Sequence, residues 1–269
     1  MKANNLTICI DAPCNKKCPY CVSKMTFYPE PNENLFCGNM QIAVKMANLA
    51  SVSSVLITSK GEPLNDLSTV ENICKIFYNF PLELQTNGLK LKHLPIEVLE
   101  GWGINTIAFS IDKYQDMFSF KEQFDDCKKR GINVRITVVL SDLWTPPDGY
   151  NFLADCTQLG IKQVTLRKMT VPSLILITEE SIKTAEWIKE HSKEKHEMFL
   201  GPLYCYELPE NLVRQLPFGP SVYDMEGIAV TTIDYCIQES NNTEDIRSLI
   251  YHQDGHMYTS WDKKASILF

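Results

Sequence analysis

Three cysteines near the start of the chain could hold an inorganic cluster. Cys14, Cys18 and Cys21 follow a C-x3-C-x2-C spacing, and Tyr20 directly precedes the last of them. A [4Fe–4S] cubane normally takes four cysteine thiolates, so three ligands would leave its fourth iron open to bind another molecule. Structural zinc is the competing interpretation, but it needs four ligands, and no second C-x2-C pair follows. The spacing therefore favours a [4Fe–4S] cluster with one open iron.

The cysteine segment (residues 14–21) resembles the signature of radical S-adenosylmethionine (SAM) enzymes, in which an aromatic residue occupies the position of Tyr20. Three further segments match that family in its own order. SKGEPL at 59–64 resembles the G-G-E-P segment, with Lys60 in place of the first glycine, whereas 84–88 and 108–112 are similar to the third and fourth strand ends. The resemblance implies a [4Fe–4S] cluster and SAM as cofactors and a reductant such as flavodoxin or ferredoxin. It also implies reductive cleavage of SAM to methionine and a 5′-deoxyadenosyl radical.

The resemblance assigns roles to individual residues. Cys14, Cys18 and Cys21 would bind the cluster, and Tyr20 would line the adenine pocket. The other residues that it places around SAM are Gly61, Glu62, Pro63, Thr86, Asn87, Ser110 and Asp112. For the last two, capping of the following helix is the alternative interpretation.

Polar residues at strand ends and in the C-terminal region are candidates for substrate contacts. Arg135 alternates with apolar neighbours in one strand-like run, and Arg167 is similarly placed in the next. Asp234 lies in a largely apolar run, where a buried carboxylate would need a partner. The substrate-binding candidates are Lys60, Arg135, Arg167, Tyr204 and Asp234, and the candidates for a catalytic role are Asp234 and Glu207.

Strand-like and helical patterns alternate over the first 170 residues. The strand-like runs cover 6–10, 54–59, 82–85, 106–111, 133–140 and 163–167, and helical patterns lie near 41–49, 66–78, 114–130 and 150–159. Such alternation predicts an α/β fold with a parallel sheet. Six βα units suit the partial (β/α)6 barrel, similar to a TIM barrel, that the resemblance implies. Each motif falls at a strand end, where such barrels place their active sites.

After residue 170 the pattern changes. A helix is predicted at 179–191, antiparallel strands are predicted within 227–237 and 247–258, and Asp254-Gly255 favours a tight hairpin turn. We therefore expect residues 1–170 to form the barrel core. Residues 171–269 are expected to form an extension with an antiparallel β cap that covers the substrate within the same structural unit.

The composition of the chain indicates which partners it could bind and where in the cell it is expected to be found. The 269 residues carry a formal net charge of −7, which argues against a polynucleotide partner because such proteins usually present a basic face. No apolar stretch is long enough to span a bilayer, and no signal peptide is recognisable. We therefore expect a cytoplasmic protein without a membrane partner. Seven of the ten cysteines are scattered singly, which is typical of free thiols.

Within the superfamily, three segments together resemble queuine lyase, a family that releases the base queuine from queuosine 5′-phosphate. They are CPYCVSKMT at 18–26, KGEP at 60–63 and DGHMYTSW at 254–261. In this interpretation the substrate is a small modified nucleoside, a carboxylate holds its guanine-like edge, and an arginine meets its phosphate.

Two alternatives remain. A radical SAM enzyme that modifies peptides or activates glycyl-radical enzymes would share the core, but the chain shows no further cysteine cluster of the kind that many such enzymes carry. A non-catalytic iron–sulfur or metal-binding protein would explain the cysteines, although it would not explain Glu62 or the other strand-end matches.

Overall fold

The computed structural model describes residues 2–145, 149–172, 177–192, 211–216, 220–233, 245–261 and 263–269. Its strands are β1 (Lys2–Ile10), β2 (Val55–Ser59), β3 (Leu82–Thr86), β4 (Ile104–Ile111), β5 (Asn133–Leu140), β6 (Gln163–Lys168), β7 (Leu212–Gln215), β8 (Ser221–Met225), β9 (Ile228–Ile233), β10 (Asp245–His252) and β11 (Met257–Tyr258). Its helices are α1 (Glu33–Leu49), α2 (Leu67–Ile76), α3 (Ile96–Gly101), α4 (Lys121–Lys129), α5 (Gly149–Gln158) and α6 (Glu179–His191).

All of the described strands belong to one sheet, with the order β11-β10-β1-β2-β3-β4-β5-β6-β9-β8-β7. The strands from β10 across to β9 run parallel to one another. The six predicted strand-like runs correspond to β1 to β6, and the predicted α/β fold with a parallel sheet is confirmed. Among the described helices, none has the length and apolar character needed to cross a bilayer.

One face of the sheet forms the main core with α1 to α5. Side chains on this face alternate with the more polar residues of the other face, and they pack with apolar helix residues in one continuous cluster. Fully buried examples from five neighbouring strands are Ile8, Ile57, Leu84, Phe109 and Ile136. Each such side chain contributes about 1.5–3 kcal/mol by its burial. The helices thereby fix the strands whose carboxyl ends carry the motifs.

The helices begin where the chain supplies a capping side chain. Asn32, Asp66 and Thr178 accept a hydrogen bond from a backbone N–H in the first turn of α1, α2 and α6. The predicted bounds of α6 are confirmed. The pattern at 114–130 forms a 3-10 helix followed by α4, and the short α3 was not predicted.

The C-terminal strands form parallel pairs that were not predicted, in addition to antiparallel pairs. Antiparallel pairs occur between β7 and β8, β8 and β9, and β10 and β11, with the Asp254-Gly255 turn in the last pair. In addition, β9 pairs in parallel with β6, and β10 pairs in parallel with β1. These two strands therefore extend the core sheet at opposite sides, a long-range arrangement that local sequence patterns do not encode.

Candidate active site

The motif segments lie together at the carboxyl ends of β1 to β4. The cysteine segment follows β1, residues 60–63 follow β2, Asn87 follows β3 and Asp112 follows β4. Because these strands are neighbours and run parallel, the loops after them meet at one edge of the sheet. Segments that are far apart in the sequence are thereby brought to one place.

The three cysteines differ in exposure. Cys14 is exposed, whereas Cys18 and Cys21 are partly buried. The backbone N–H of Lys16 donates to Cys14 Sγ at 3.4 Å, a contact that suits a thiolate. Burial, followed by the nearby Asp112 carboxylate, raises the pKa of the Cys18 thiol to about 12. A metal centre would therefore have to displace this proton before Cys18 could act as a thiolate ligand.

The arrangement of the thiols can be compared with the demands of two kinds of metal centre. Among the described residues, no three Cys, His, Asp or Glu side chains are grouped as ligands of a single metal ion. A cubane makes a different demand, because each thiolate binds a different iron and the sulfurs need not meet at one point. Three cysteine sulfurs on one short segment are compatible with a [4Fe–4S] cluster, and their role as its ligands stays a prediction.

Gly61 lets the loop after β2 lie directly against the cysteine segment. A Cβ atom on Gly61 would lie 2.4 Å from the carbonyl oxygen of Ala12 and 2.5 Å from the backbone nitrogen of Cys14. The Ser59 hydroxyl reinforces the contact, since it donates to the Ala12 carbonyl at 3.1 Å and accepts from the Gly61 N–H at 2.8 Å. The close approach requires glycine, and the backbone position of Cys14 depends on it.

Glu62 is a buried carboxylate that joins the loops after β2 and β3. The residue is 1% exposed. Its Oε1 accepts from the Thr86 hydroxyl at 2.6 Å and from the Leu64 N–H at 3.1 Å, and its Oε2 accepts from the Asn87 N–H at 2.8 Å. Burial raises the pKa of Glu62, and these three donors oppose the shift because they favour the ionised form. Glu62 thus fixes Thr86 and Asn87, while its contact with the SAM amine stays a prediction.

Glu62→Gln is expected to lower the free energy of unfolding by about 1–3 kcal/mol, because a buried N–H donor would lose its acceptor. In either orientation of the new amide, its NH2 group faces the N–H of Leu64 or of Asn87. Urea unfolding of the cluster-free protein measures the change. As a control, Glu71→Gln removes a carboxylate on α2 whose side chain is 39% exposed. It should change stability by less than about 0.5 kcal/mol, and equal stability of E62Q and wild type would contradict this account.

Asp112 ties the cysteine segment to the end of β4. Its Oδ2 accepts from Lys16 Nζ at 2.8 Å, and its Oδ1 accepts from the Tyr20 hydroxyl at 2.6 Å. The Sγ atom of Cys18 lies 3.8 Å from Oδ2. Burial, with a further contribution from Asp112, raises the pKa of Tyr20, so that its hydroxyl remains a donor. The sequence did not predict this anchoring contact or the part of Lys16 in it, and a contact of Asp112 with SAM stays a prediction.

A second, smaller hydrophobic cluster packs α6 against the cysteine segment. Its buried members are Met25, Met169, Ala185 and Ile188. Tyr20 packs against this cluster, and its ring centroid lies 5.8 Å from that of Trp187 in α6. Trp187 also stacks on the His191 ring at 4.0 Å. Helix α6 therefore supports the residue predicted to line the adenine pocket, a contact that the sequence did not predict.

Lys60, which replaces the usual glycine of the motif, is exposed. Its Nζ atom lies 5.3 Å from the centroid of the Tyr28 ring, within the range of a cation–π contact. Tyr28 meets the buried ring of His252 edge-on at 5.6 Å. Burial lowers the pKa of His252 to about 4, so this imidazole is neutral at pH 7. The loop after β2 thus accommodates a side chain at position 60, and a substrate contact of Lys60 stays a prediction.

The sheet face opposite the main core is polar. On this face Glu83 accepts a hydrogen bond from the Gln85 side chain at 3.1 Å and forms an ion pair with Arg135. The Nε atom of Arg135 is buried without a hydrogen-bond partner in the described part of the chain. Glu83 therefore balances the charge of Arg135, which was not predicted. Arg167 lies on the same face of β6, in register with Val139.

The remaining predicted residues divide into two groups. Pro63 begins a 3-10 turn, and Ser110 is exposed near the end of β4. Tyr204, Glu207 and Asp234 lie outside the described residues. The structure thus brings the residues predicted to bind the cluster and SAM to one edge of the sheet. The substrate-binding candidates among the described residues are Lys60 in the loop after β2, Arg135 on β5 and Arg167 on β6.

Known proteins resemble this chain in sequence over part of its length. No protein-family model matches the chain. A GTP 3′,8-cyclase of Campylobacter jejuni is 33% identical over 115 residues, which are 41% of this chain and 35% of the relative. The match thus spans about a third of that relative's length, and three more C. jejuni GTP 3′,8-cyclases match over the same length.

Solved structures extend the comparison over nearly the whole chain. SuiB of Streptococcus suis bound to the precursor peptide SuiA has a TM-score of 0.56 and 14% identity over 96% of this chain and 59% of SuiB. SuiB bound to S-adenosylmethionine has a TM-score of 0.54 and 13% identity over 96% of this chain and 58% of SuiB. At such identities the likeness shows a shared fold. The shared fold agrees with the resemblance of the cysteine segment and the strand-end motifs to radical SAM enzymes.

Proposed function

We propose that this chain is a radical SAM enzyme that acts on a small molecule, and that its substrate is queuosine 5′-phosphate, from which it releases queuine. The observation that supports the radical SAM part is the meeting of four motif segments at the carboxyl ends of β1 to β4. Gly61, Glu62 and Asp112 hold these segments together. The structurally similar SuiB has been solved with SAM bound, which agrees with this proposal.

In the proposed reaction the three cysteines would hold the cluster, and the loops after β2 and β3 would bind the methionine end of SAM. When bound, the cluster and SAM supply one-electron cleavage of the S–C5′ bond to methionine and a 5′-deoxyadenosyl radical. The residues of the chain itself position the cysteine segment and exclude water from it. Asp112 anchors Lys16 and Tyr20, and the apolar cluster under α6 keeps water from the side of the cysteine segment that it covers.

The substrate part of the proposal has separate support. The segments at 18–26, 60–63 and 254–261 resemble queuine lyase. The partial relatives are named for GTP, whose guanine base resembles the 7-deazaguanine base of queuosine. The net charge of −7 favours a small nucleotide over a polynucleotide. Peptide modification is the second candidate, because a structure of similar fold, SuiB, holds a precursor peptide.

Anaerobic reconstitution followed by reduction with dithionite tests both parts. The protein is expected to convert SAM to 5′-deoxyadenosine and methionine, and with queuosine 5′-phosphate it is expected to release queuine. Chromatography with mass detection measures all products, and GTP and a precursor peptide serve as competing substrates. Absence of 5′-deoxyadenosine would contradict the radical SAM assignment. Its formation without queuine, together with turnover of GTP or a peptide, would contradict only the queuosine part.

A further inference from the structure

Four hydroxyl side chains form a row across the polar face of the sheet. Ser110 of β4, Thr137 of β5, Thr165 of β6 and Thr231 of β9 are in register with one another from strand to strand. Side chains alternate along each strand, and the neighbours of these residues in sequence, such as Ile136 and Val164, are buried in the main core. The four hydroxyls therefore share the face that does not pack on α1 to α5.

Among the described residues, these hydroxyls have no hydrogen-bond partners. In the described part of the chain, no residue donates to or accepts a hydrogen bond from any of the four side chains. Thr165 is only 7% exposed. A hydroxyl that has no protein partner on such a face is available to bind water or a ligand. The row is therefore a ready hydrogen-bonding surface.

The surroundings of the row restrict what it can bind. The level next to it, towards the start of the strands, carries Gln85, Arg135 and Gln163, and there Arg135 is paired with Glu83. The level on the other side, towards the carboxyl ends, carries Val139, Arg167 and Ile233, whereas the row itself contains no charged side chain. Hydroxyls donate and accept equally well, as do the hydroxyls of a sugar, whereas an anionic group would be matched by a lysine or arginine.

The position of the row argues against an extended peptide. Peptides that add a strand bind to the main chain of a sheet edge. Strands β4, β5, β6 and β9 are each paired on both sides, so their main chains are already used within the sheet. Only side chains are available on this face, and they are short hydroxyls about 4.8 Å apart between neighbouring strands. Three of them span about 10 Å, enough for a furanose ring and one substituent.

We infer that Thr137, Thr165 and Thr231 bind the ribosyl group of a nucleoside or nucleotide substrate through its 2′- and 3′-hydroxyls. The inference rests on the proposed radical SAM function, since the row begins at Ser110, a predicted SAM contact, and the ribosyl group would lie beside SAM. It specifies a substrate class and a binding surface that hold whichever base the substrate carries.

The test uses the anaerobically reconstituted protein with SAM and two probes, guanosine 5′-phosphate and its 2′,3′-dideoxy analogue. The wild type is expected to bind the ribosyl form about 10-fold more tightly, as two neutral hydrogen bonds would give. In Thr165→Val/Thr231→Val, which keeps side-chain shape and removes both hydroxyls, this preference should fall to about twofold or less. Thr232→Val, on the opposite face of β9, should retain the wild-type preference. Equilibrium dialysis gives both affinities for each protein.

Several results would overturn the inference: equal wild-type affinities, no saturable binding of either probe, or an unchanged preference in the double variant. The same preparations are assayed for SAM cleavage without substrate. If they form 5′-deoxyadenosine but show no ribosyl preference, only this inference fails. If no preparation cleaves SAM, the proposed function fails instead.

Discussion

Alanine in place of Cys14, Cys18 or Cys21 is expected to abolish both cluster binding and reductive cleavage of SAM. Each variant would leave a cubane with two protein thiolates, where three are already the minimum that the sequence offers. Among the described residues, no other cysteine lies on this segment to replace a missing ligand. Iron and sulfide content, the visible absorbance of the cluster and 5′-deoxyadenosine formation measure the loss.

A matched control separates this effect from general cysteine chemistry. Cys37 is also an exposed free thiol, but it lies in α1 and outside the cysteine segment. Cys37→Ala should therefore retain wild-type iron content and SAM cleavage. A cysteine-segment variant with full iron content and normal cleavage would show that the chain does not hold its cluster in the predicted way.

The sequence predicted those parts of the site that depend on short segments. The cysteine spacing and the residues at 59–64, 84–88 and 108–112 are local patterns, and the strand-like runs around them placed each motif at a strand end. Because parallel strands bring their carboxyl ends to one edge, the meeting of these segments could be predicted before any contact was known.

Contacts between distant residues could not be predicted in this way. The bond from Lys16 to Asp112 and the packing of Tyr20 on Trp187 depend on the final positions of separate elements. The parallel pairing of β9 with β6 is of the same kind. A lysine or a tryptophan in an amphipathic pattern is compatible with many partners, and only the assembled sheet selects one of them.

For the row of hydroxyls, too, the sequence predicts what happens within one strand but not how distant strands pair. Alternation along β5 and β6 could place Thr137 and Thr165 on one face, since each strand was predicted. The register that aligns them with Thr231 could not be predicted, because β9 enters the sheet after a long intervening stretch of chain. The polar surface therefore emerges only when the C-terminal strand is added to the core.

Gly61→Ala is expected to reduce iron content after reconstitution and to lower SAM cleavage by about 100-fold or more, as displacement of a reacting group by about 1 Å can do. The added methyl group would lie 2.4 to 2.6 Å from backbone atoms of residues 12 to 14, which no side-chain rotation can relieve. The segment that carries Cys14 must then move away from β2, and the hydrogen bond from the Ser59 hydroxyl to the Ala12 carbonyl, which joins the two segments, must lengthen. Iron analysis, SAM affinity and 5′-deoxyadenosine formation report this displacement separately.

The matched control for this substitution is Gly38→Ala in α1, where an added Cβ meets nothing within 4 Å. Since alanine favours a helix over glycine by about 1 kcal/mol, G38A should be as stable as the wild type or more so, with unchanged iron content and cleavage. A comparison of the cluster-free proteins by thermal unfolding shows whether G61A still folds. If G61A folds, binds wild-type amounts of iron and cleaves SAM at the wild-type rate, then the close contact between the loop after β2 and the cysteine segment does not position the cluster ligands.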